Sequence, residues 1–388
     1  MSKVPAAALQ FDRRELVHRA QSASSVRDVF RAASAPLRRL VGFDAAVWTA
    51  TDPATSLPVA PTRADKLAGF GGREACERMW ELEFGFEDVN RYCDLSRAPT
   101  PAAGLRHATS DHPARSARFR ELLGPAGFGD EMRAVLRVDG EPWAALALMR
   151  AHGGPAFDTR DAKLIAGLSA PLAHAVREHA RRGPAVADRR RGPGLLLFDA
   201  AGGLASVNDE ARGWLDELDP DAPIDNPFGV RLPMVVLTTL MQARAIAQRR
   251  DDRHARVRMR SHASGDWLVC DASCLRGPDG RAGQTAVVIE PAPASEIAPL
   301  LGAAYGLSPR ELDITGLIAR GTGTTAIAAR LQLSTHTVRD HIKSIFGKVG
   351  VSSRGELVAA LFAEHAAPRH FAPGARDADD GPLLRDGD

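Results

Sequence analysis

The stretch "STHTVRDHIKSIFGKVG", residues 334–350, gathers Arg339, Lys343 and Lys348 in one helix-like run and places Asp340 among them. Two readings compete for such a run: a solvated charged face, or a surface shaped to enter a nucleic-acid groove. Val338, Ile342, Ile345 and Val349 recur at steps of four, three and four, so they fall on one buried stripe of a helix. The opposite face then carries His336, Arg339, Asp340 and Lys343. Ser334 supplies an amino-terminal cap and Gly350 a stop.

Upstream, "LSPRELDITGLIARG" sets Ser308 three residues before Glu311, the spacing of a capping box, with Pro309 at the first helical position. Leu307 and Leu312 have the spacing of a hydrophobic staple, and Gly321 offers a left-handed end, so a helix is predicted over 309–320. "TTAIAARL" predicts a second helix, capped by Thr324 or Thr325 and burying Ile327, Ala328 and Leu331. Only "QLS" separates it from the third, and two short helices joined so tightly cross steeply, as in a helix-turn-helix. From Arg330 to Arg354 five basic residues stand against one acidic residue, a local charge of +4, which favours phosphate contact. Unsatisfied N–H groups at the amino ends of the second and third helices point to Thr324, Thr325 and Thr335 as phosphate positions.

With "LSPRE", "IAARLQLSTHTVRDHI" and "KVGVSSRGELV" at their spacing, residues of about 305–365 resemble the DNA-binding domain of LuxR-type response regulators and quorum sensors. The resemblance implies an all-α, tetrahelical helix-turn-helix over 300–366 whose third helix enters the major groove. It carries base contact onto Arg339, Asp340 and Lys343: the cations can donate to guanine O6 and N7, and the carboxylate can accept from cytosine N4. The bland reading of Asp340 is an i,i+3 ion pair with Lys343. Lys348 stands where the family keeps a basic residue and is expected on phosphate, although its neighbour Gly347 departs from the pattern, as do Thr325 and Ala326. The fourth helix, "SRGELVAALFAEH", offers Leu357 and Leu361 for pairing two copies on a palindromic site.

Ahead of this module the chain divides into two α+β pieces. Residues 20–180 begin with a helical pattern in "VRDVFRAASAPLRRLVG" and include "EMRAVLRVDGEPWAALALMR", a hairpin turning at Asp139 and Gly140. A last helix carries Leu164, Leu168, Leu172 and Val176 on one face. This order of elements resembles a GAF domain. Residues 194–292 open with a strand, a turn at Asp199–Gly203, a short strand ending at Asn208 and a helix; small helices and three closing strands follow, which resembles a PAS domain. A linker is expected at 181–193, a proline-rich joint at 290–299 and a disordered tail at 367–388.

Composition bounds the remaining options. The 388 residues suffice for several cores, and 44% apolar with 25% charged residues is the balance of a globular protein. The total charge of +2 conceals the basic patch. Neither a membrane segment nor a signal-peptide pattern is read, so a cytoplasmic protein is expected. Cys76, Cys93, Cys270 and Cys274 have neither disulfide-scaffold nor zinc spacing, and no cofactor or metal is expected. The leading expectation is a non-enzymatic transcription regulator with front domains that sense a signal. Expected partners are double-stranded DNA and a second copy, with a small-molecule ligand of the front domains and RNA polymerase as further candidates. Two alternatives stand: a thiol enzyme or sensor using Cys76 or Cys93, and front domains that serve only dimerisation or docking.

Overall fold

A computed structural model describes residues 6–67, 73–181, 192–219, 222, 224, 226–261 and 264–363. The expected tail lies outside this range, as does nearly all of the expected linker. The first α+β unit runs α1 (Ala6–Gln21), α2 (Val26–Val41), β1 (Ala45–Thr51), β2 (Pro58–Asp65), α3 (Arg73–Gly85), α4 (Tyr92–Arg97), β3 (Ala102–Gly104), α5 (Leu105–Ala108), β4 (Phe128–Val138), β5 (Glu141–Ala151) and α6 (Thr159–Ala180). Asp139 and Gly140 take positive φ of 55° and 86°, the backbone a two-residue hairpin needs. The antiparallel sheet has the order β2-β1-β5-β4-β3. Side chains alternate across it: Ala46, Trp48 and Ala50 enter the main core, whereas Ala45 and Val47 join Leu105, Leu123 and Met149 on the other face. Helix α1, which the sequence reading left outside this unit, packs on α2 and α6.

The second unit comprises β6 (Gly194–Phe198), β7 (Leu204–Val207), α7 (Asp209–Leu218), α8 (Met234–Ala247), β8 (Arg256–Arg260), β9 (Trp267–Arg276) and β10 (Ala282–Pro291). Its sheet, β7-β6-β10-β9-β8, repeats the order of the first. Asn208 holds the β7–α7 corner: its Oδ1 accepts from the N–H groups of Leu195 and Ala211, at 2.7 and 3.0 Å. Among the described residues the middle of this unit, where small helices were expected, holds α8, a single helix packed on β9 and β10 and also on α3 and β2 of the first unit. Burial on both sides explains why "MVVLTTLMQARAIA" is apolar all round and shows no one-sided period.

The two units are locked by charge as well as by α8. Asp52, at the end of β1, is 1% exposed, and its carboxylate accepts from Arg258 Nε at 2.9 Å, Nη2 at 2.7 Å and the backbone N–H at 2.7 Å.

The joint expected at 290–299 is a correction, because β10 continues through Pro291 and α9 (Ala294–Ala304) follows. Pro293 occupies the cap, where its missing N–H costs nothing, and Ile297, Leu300, Leu301 and Ala304 are buried. Then come α10 (Pro309–Ala319), α11 (Thr324–Leu331), α12 (Thr335–Val349) and α13 (Arg354–Val358), with a π-helical turn at Ala359–Ala363. Helix α9 packs on that turn and on α6. It also approaches α10 so closely that a methyl at Gly302 would come within 2.1 Å of the Leu312 side chain. Arg181 Nε donates to the Ala304 carbonyl at 2.7 Å, and Gly306 sits beside the ion pair of Asp139 with Arg177. Among the described residues no helix is long and apolar enough to cross a membrane.

Candidate nucleic-acid interface

The capping box of α10 forms as its sequence demands: the Glu311 N–H donates to Ser308 Oγ at 3.3 Å, and Glu311 Oε2 accepts from the Ser308 N–H at 2.7 Å. Helix α11 begins differently from expectation. Gly323 is its cap, with no side-chain bond, and Thr324 is the first helical residue. The Thr324 hydroxyl accepts from Arg354 Nη2 at 2.8 Å while Arg354 Nη1 bonds the Thr322 carbonyl at 3.0 Å, so α13 pins the start of α11. Gln332, left-handed at φ 54°, turns the chain into α12, where Ser334 accepts from the Thr337 N–H at 3.0 Å.

Along α12, Val338 and Ile345 are fully buried and Ile342 and Val349 pack against the same core. Arg339, Asp340 and Lys343 stand exposed on the other side, and among the described residues neither cation has a hydrogen bond or an ion pair. The Asp340–Lys343 pair does not form; Asp340 Oδ2 lies 3.6 Å from His336 Nε2, an ionic contact only when the imidazole is protonated. Thr325 is exposed and Thr335 partly so, at the amino ends of α11 and α12.

Lys348, expected on phosphate, is partly exposed and its ammonium is engaged within the chain. Its ammonium donates to Glu311 Oε2 at 2.7 Å and to the Gly306 carbonyl at 3.0 Å, tying the end of α12 to the start of α10. Burial on its own would raise the Glu311 carboxyl; Lys348, the Ser308 N–H and the Ser344 hydroxyl outweigh it and hold the carboxyl at about 2. A lowered acid stabilises the fold above its unfolded value of 4.5, and that stabilisation is lost as pH falls towards 2. Glu311→Gln is therefore expected to cost about 2 kcal/mol at pH 7, discounted for the partial exposure of Lys348, with the deficit closing between pH 4.5 and 2. Urea midpoints measured across that range check it. Gly347, by contrast, faces open space: a Cβ there meets nothing within 4 Å. Gly347→Ala is expected to raise stability by roughly 0.5–1 kcal/mol, readable as a higher urea midpoint.

Leu357 and Leu361, expected to pair two copies, are 0% and 1% exposed within this chain. The turn that carries Leu361 is already packed against α9. Cys93 and Cys270 also differ from a nucleophile's setting. Burial pushes Cys93 up despite Arg253 and Arg91, and its Sγ faces Asp94 at 3.6 Å. Cys76 is part-buried and Cys270, fully buried, is pushed up to about 12. Among the described residues no cluster of three His, Cys, Asp or Glu side chains could hold a metal ion.

Four helices with a short α11, a left-handed turn and a solvent-facing α12 make a helix-turn-helix module. Residues 306–361 match the family described as bacterial regulatory proteins, luxR family, so this end of the chain is a luxR-type domain. Over 84 residues the chain is 34% identical to a probable HTH-type transcriptional regulator, GfsR, of Streptomyces halstedii, covering 21% of this chain and 35% of that protein. It is 48% identical over 52 residues to the oxygen regulatory protein NreC of Staphylococcus aureus, covering 13% of this chain and 24% of the relative. The chain thus spans well under half the length of either. The GAF domain of an Acinetobacter phosphoenolpyruvate-protein phosphotransferase aligns at 12% identity and a TM-score of 0.30, over 45% of this chain and 94% of that one.

Proposed function

We propose that this chain is a cytoplasmic, sequence-specific DNA-binding transcription regulator whose GAF-like and PAS-like front domains receive a signal. One observation carries the reading: α12 presents Arg339 and Lys343 to solvent, and neither is engaged elsewhere among the described residues. Two unengaged cations beside an acceptor, on the second helix of a helix-turn-helix, match the donor and acceptor pattern of base edges in a major groove. Backbone N–H groups near Thr325 and Thr335 would position phosphates, with Thr324 contributing from its Arg354-held site. Two copies would bind a palindromic site. While α9 is docked, their pairing uses a surface other than Leu357 and Leu361.

Selection of genomic fragments by the purified chain, followed by sequencing at two salt concentrations, tests the proposal. A recovered palindrome whose affinity falls with salt by roughly 0.9 log–log units per phosphate supports it. No enrichment at either salt concentration counts against it.

A further inference from the structure

A cleft of about 480 Å³ opens between the two α+β units. That volume lies within the range of small-molecule sites, about 300–1,000 Å³. Its walls come from the α1–α2 connection, the facing ends of β1 and β2, the last turn of α6, and β8 with the start of β9. Leu300 of α9 adds a contact from the third module.

Two features of this cleft point outward from the chain. Trp143 and Trp267 both line it, are 4% and 8% exposed, and each has a buried indole N–H with no acceptor among the described residues. A buried donor left unmet bears its full desolvation cost, and two in one cleft share a simple remedy: an acceptor brought by a ligand. The second feature is charge. Arg27, Arg258, Arg260 and His179 line the cleft, and among the described residues no aspartate or glutamate does. Asp52 and Asp219 stand as counter-ions to Arg258 and Arg27 without lining it, and Arg260 donates to the carbonyls of Gly265 and His179. Val26, Val59, Val176 and Met259 supply apolar wall.

We propose that the cleft is a receptor site for a small acid: an apolar body bearing one carboxylate, whose oxygens accept from the orphaned indole N–H groups beside the arginines. A wholly apolar ligand leaves both donors unmet, and an amine meets a guanidinium-lined wall. The inference rests on the regulator reading and gives it a signal class. Leu300 links the site to the DNA-binding end, because α9 also packs on the turn at Ala359–Ala363.

The test titrates the full chain with phenylacetate, indole-3-acetate and octanoate, and with the amide and amine corresponding to each, by thermal shift and calorimetry. At least one acid is expected to raise the unfolding midpoint saturably, its amide to bind roughly tenfold more weakly and its amine not at all. Trp143→Phe and Trp267→Phe keep a ring and remove the donor. Each is expected to weaken the acid roughly tenfold and to leave DNA enrichment without acid unchanged. A flat response across the acids overturns the proposal, as does acid binding that survives both substitutions. DNA selection on the same preparation separates the two claims: enrichment with a flat acid series removes the cleft alone, and acid binding without enrichment removes the regulator reading alone.

Discussion

Asp52→Ala is expected to destabilise the chain by about 3–5 kcal/mol, because it strips a buried guanidinium of its counter-ion. Arg258 is 8% exposed and gives three of its donors, two from the guanidinium and one from the backbone, to this one carboxylate. Asp52→Ala with Arg258→Met should recover much of the loss, since the double variant buries no orphan charge. Urea unfolding followed by tryptophan fluorescence reads both. A cost below about 1 kcal/mol for the single variant would show that the pair is solvated and the units are not held by it.

The second large effect concerns α12. Arg339→Ala is expected to weaken binding to a selected operator roughly 10- to 100-fold and to relax preference at one base pair, as loss of a guanine contact does. Lys343→Ala is expected to weaken binding by about tenfold; a loss that is uniform across sequences, with a salt slope smaller by about one, would place it on phosphate. Asp340→Asn removes like-charge repulsion from the backbone, so nonspecific affinity should rise while discrimination falls. Binding isotherms on operator and scrambled DNA at several salt concentrations distinguish the three. Unchanged affinity for both Arg339→Ala and Lys343→Ala would remove α12 from the groove.

The helix-turn-helix is legible because its information is local. Ser308 and Glu311 are three residues apart, Ser334 directly precedes its helix, and Gly350, at φ 79°, directly follows it. The Asp139–Gly140 turn is legible for the same reason. What escaped the sequence depends on distant partners. Lys348 reads as a free cation until Glu311 is brought beside it from another helix. Leu357 and Leu361 read as an interface until α9 covers their neighbourhood, and α9 itself was hidden by Pro293 and Pro299, which read as breakers. Thr324 looked a better cap than Gly323, yet its hydroxyl answers to Arg354. The cleft as a whole had no sequence signature, since Trp143 and Trp267 belong to different sheets.

The way α9 enters the C-terminal helices bears on how such a chain could be assembled over evolutionary time. Gly302 admits Leu312 only because it lacks a side chain, Ala304 and Gly306 are held against Arg181, Asp139 and Arg177, and the Gly306 carbonyl also receives Lys348. Recombination at this point would break the Arg181–Ala304 bond and the approach of Gly306 to the Asp139–Arg177 pair. A transplanted front end would have to bring its own surface for α9 and its own acidic hairpin tip. Sensor and DNA-binding end would therefore be inherited together, with Gly306 varying in step with the hairpin tip beside it.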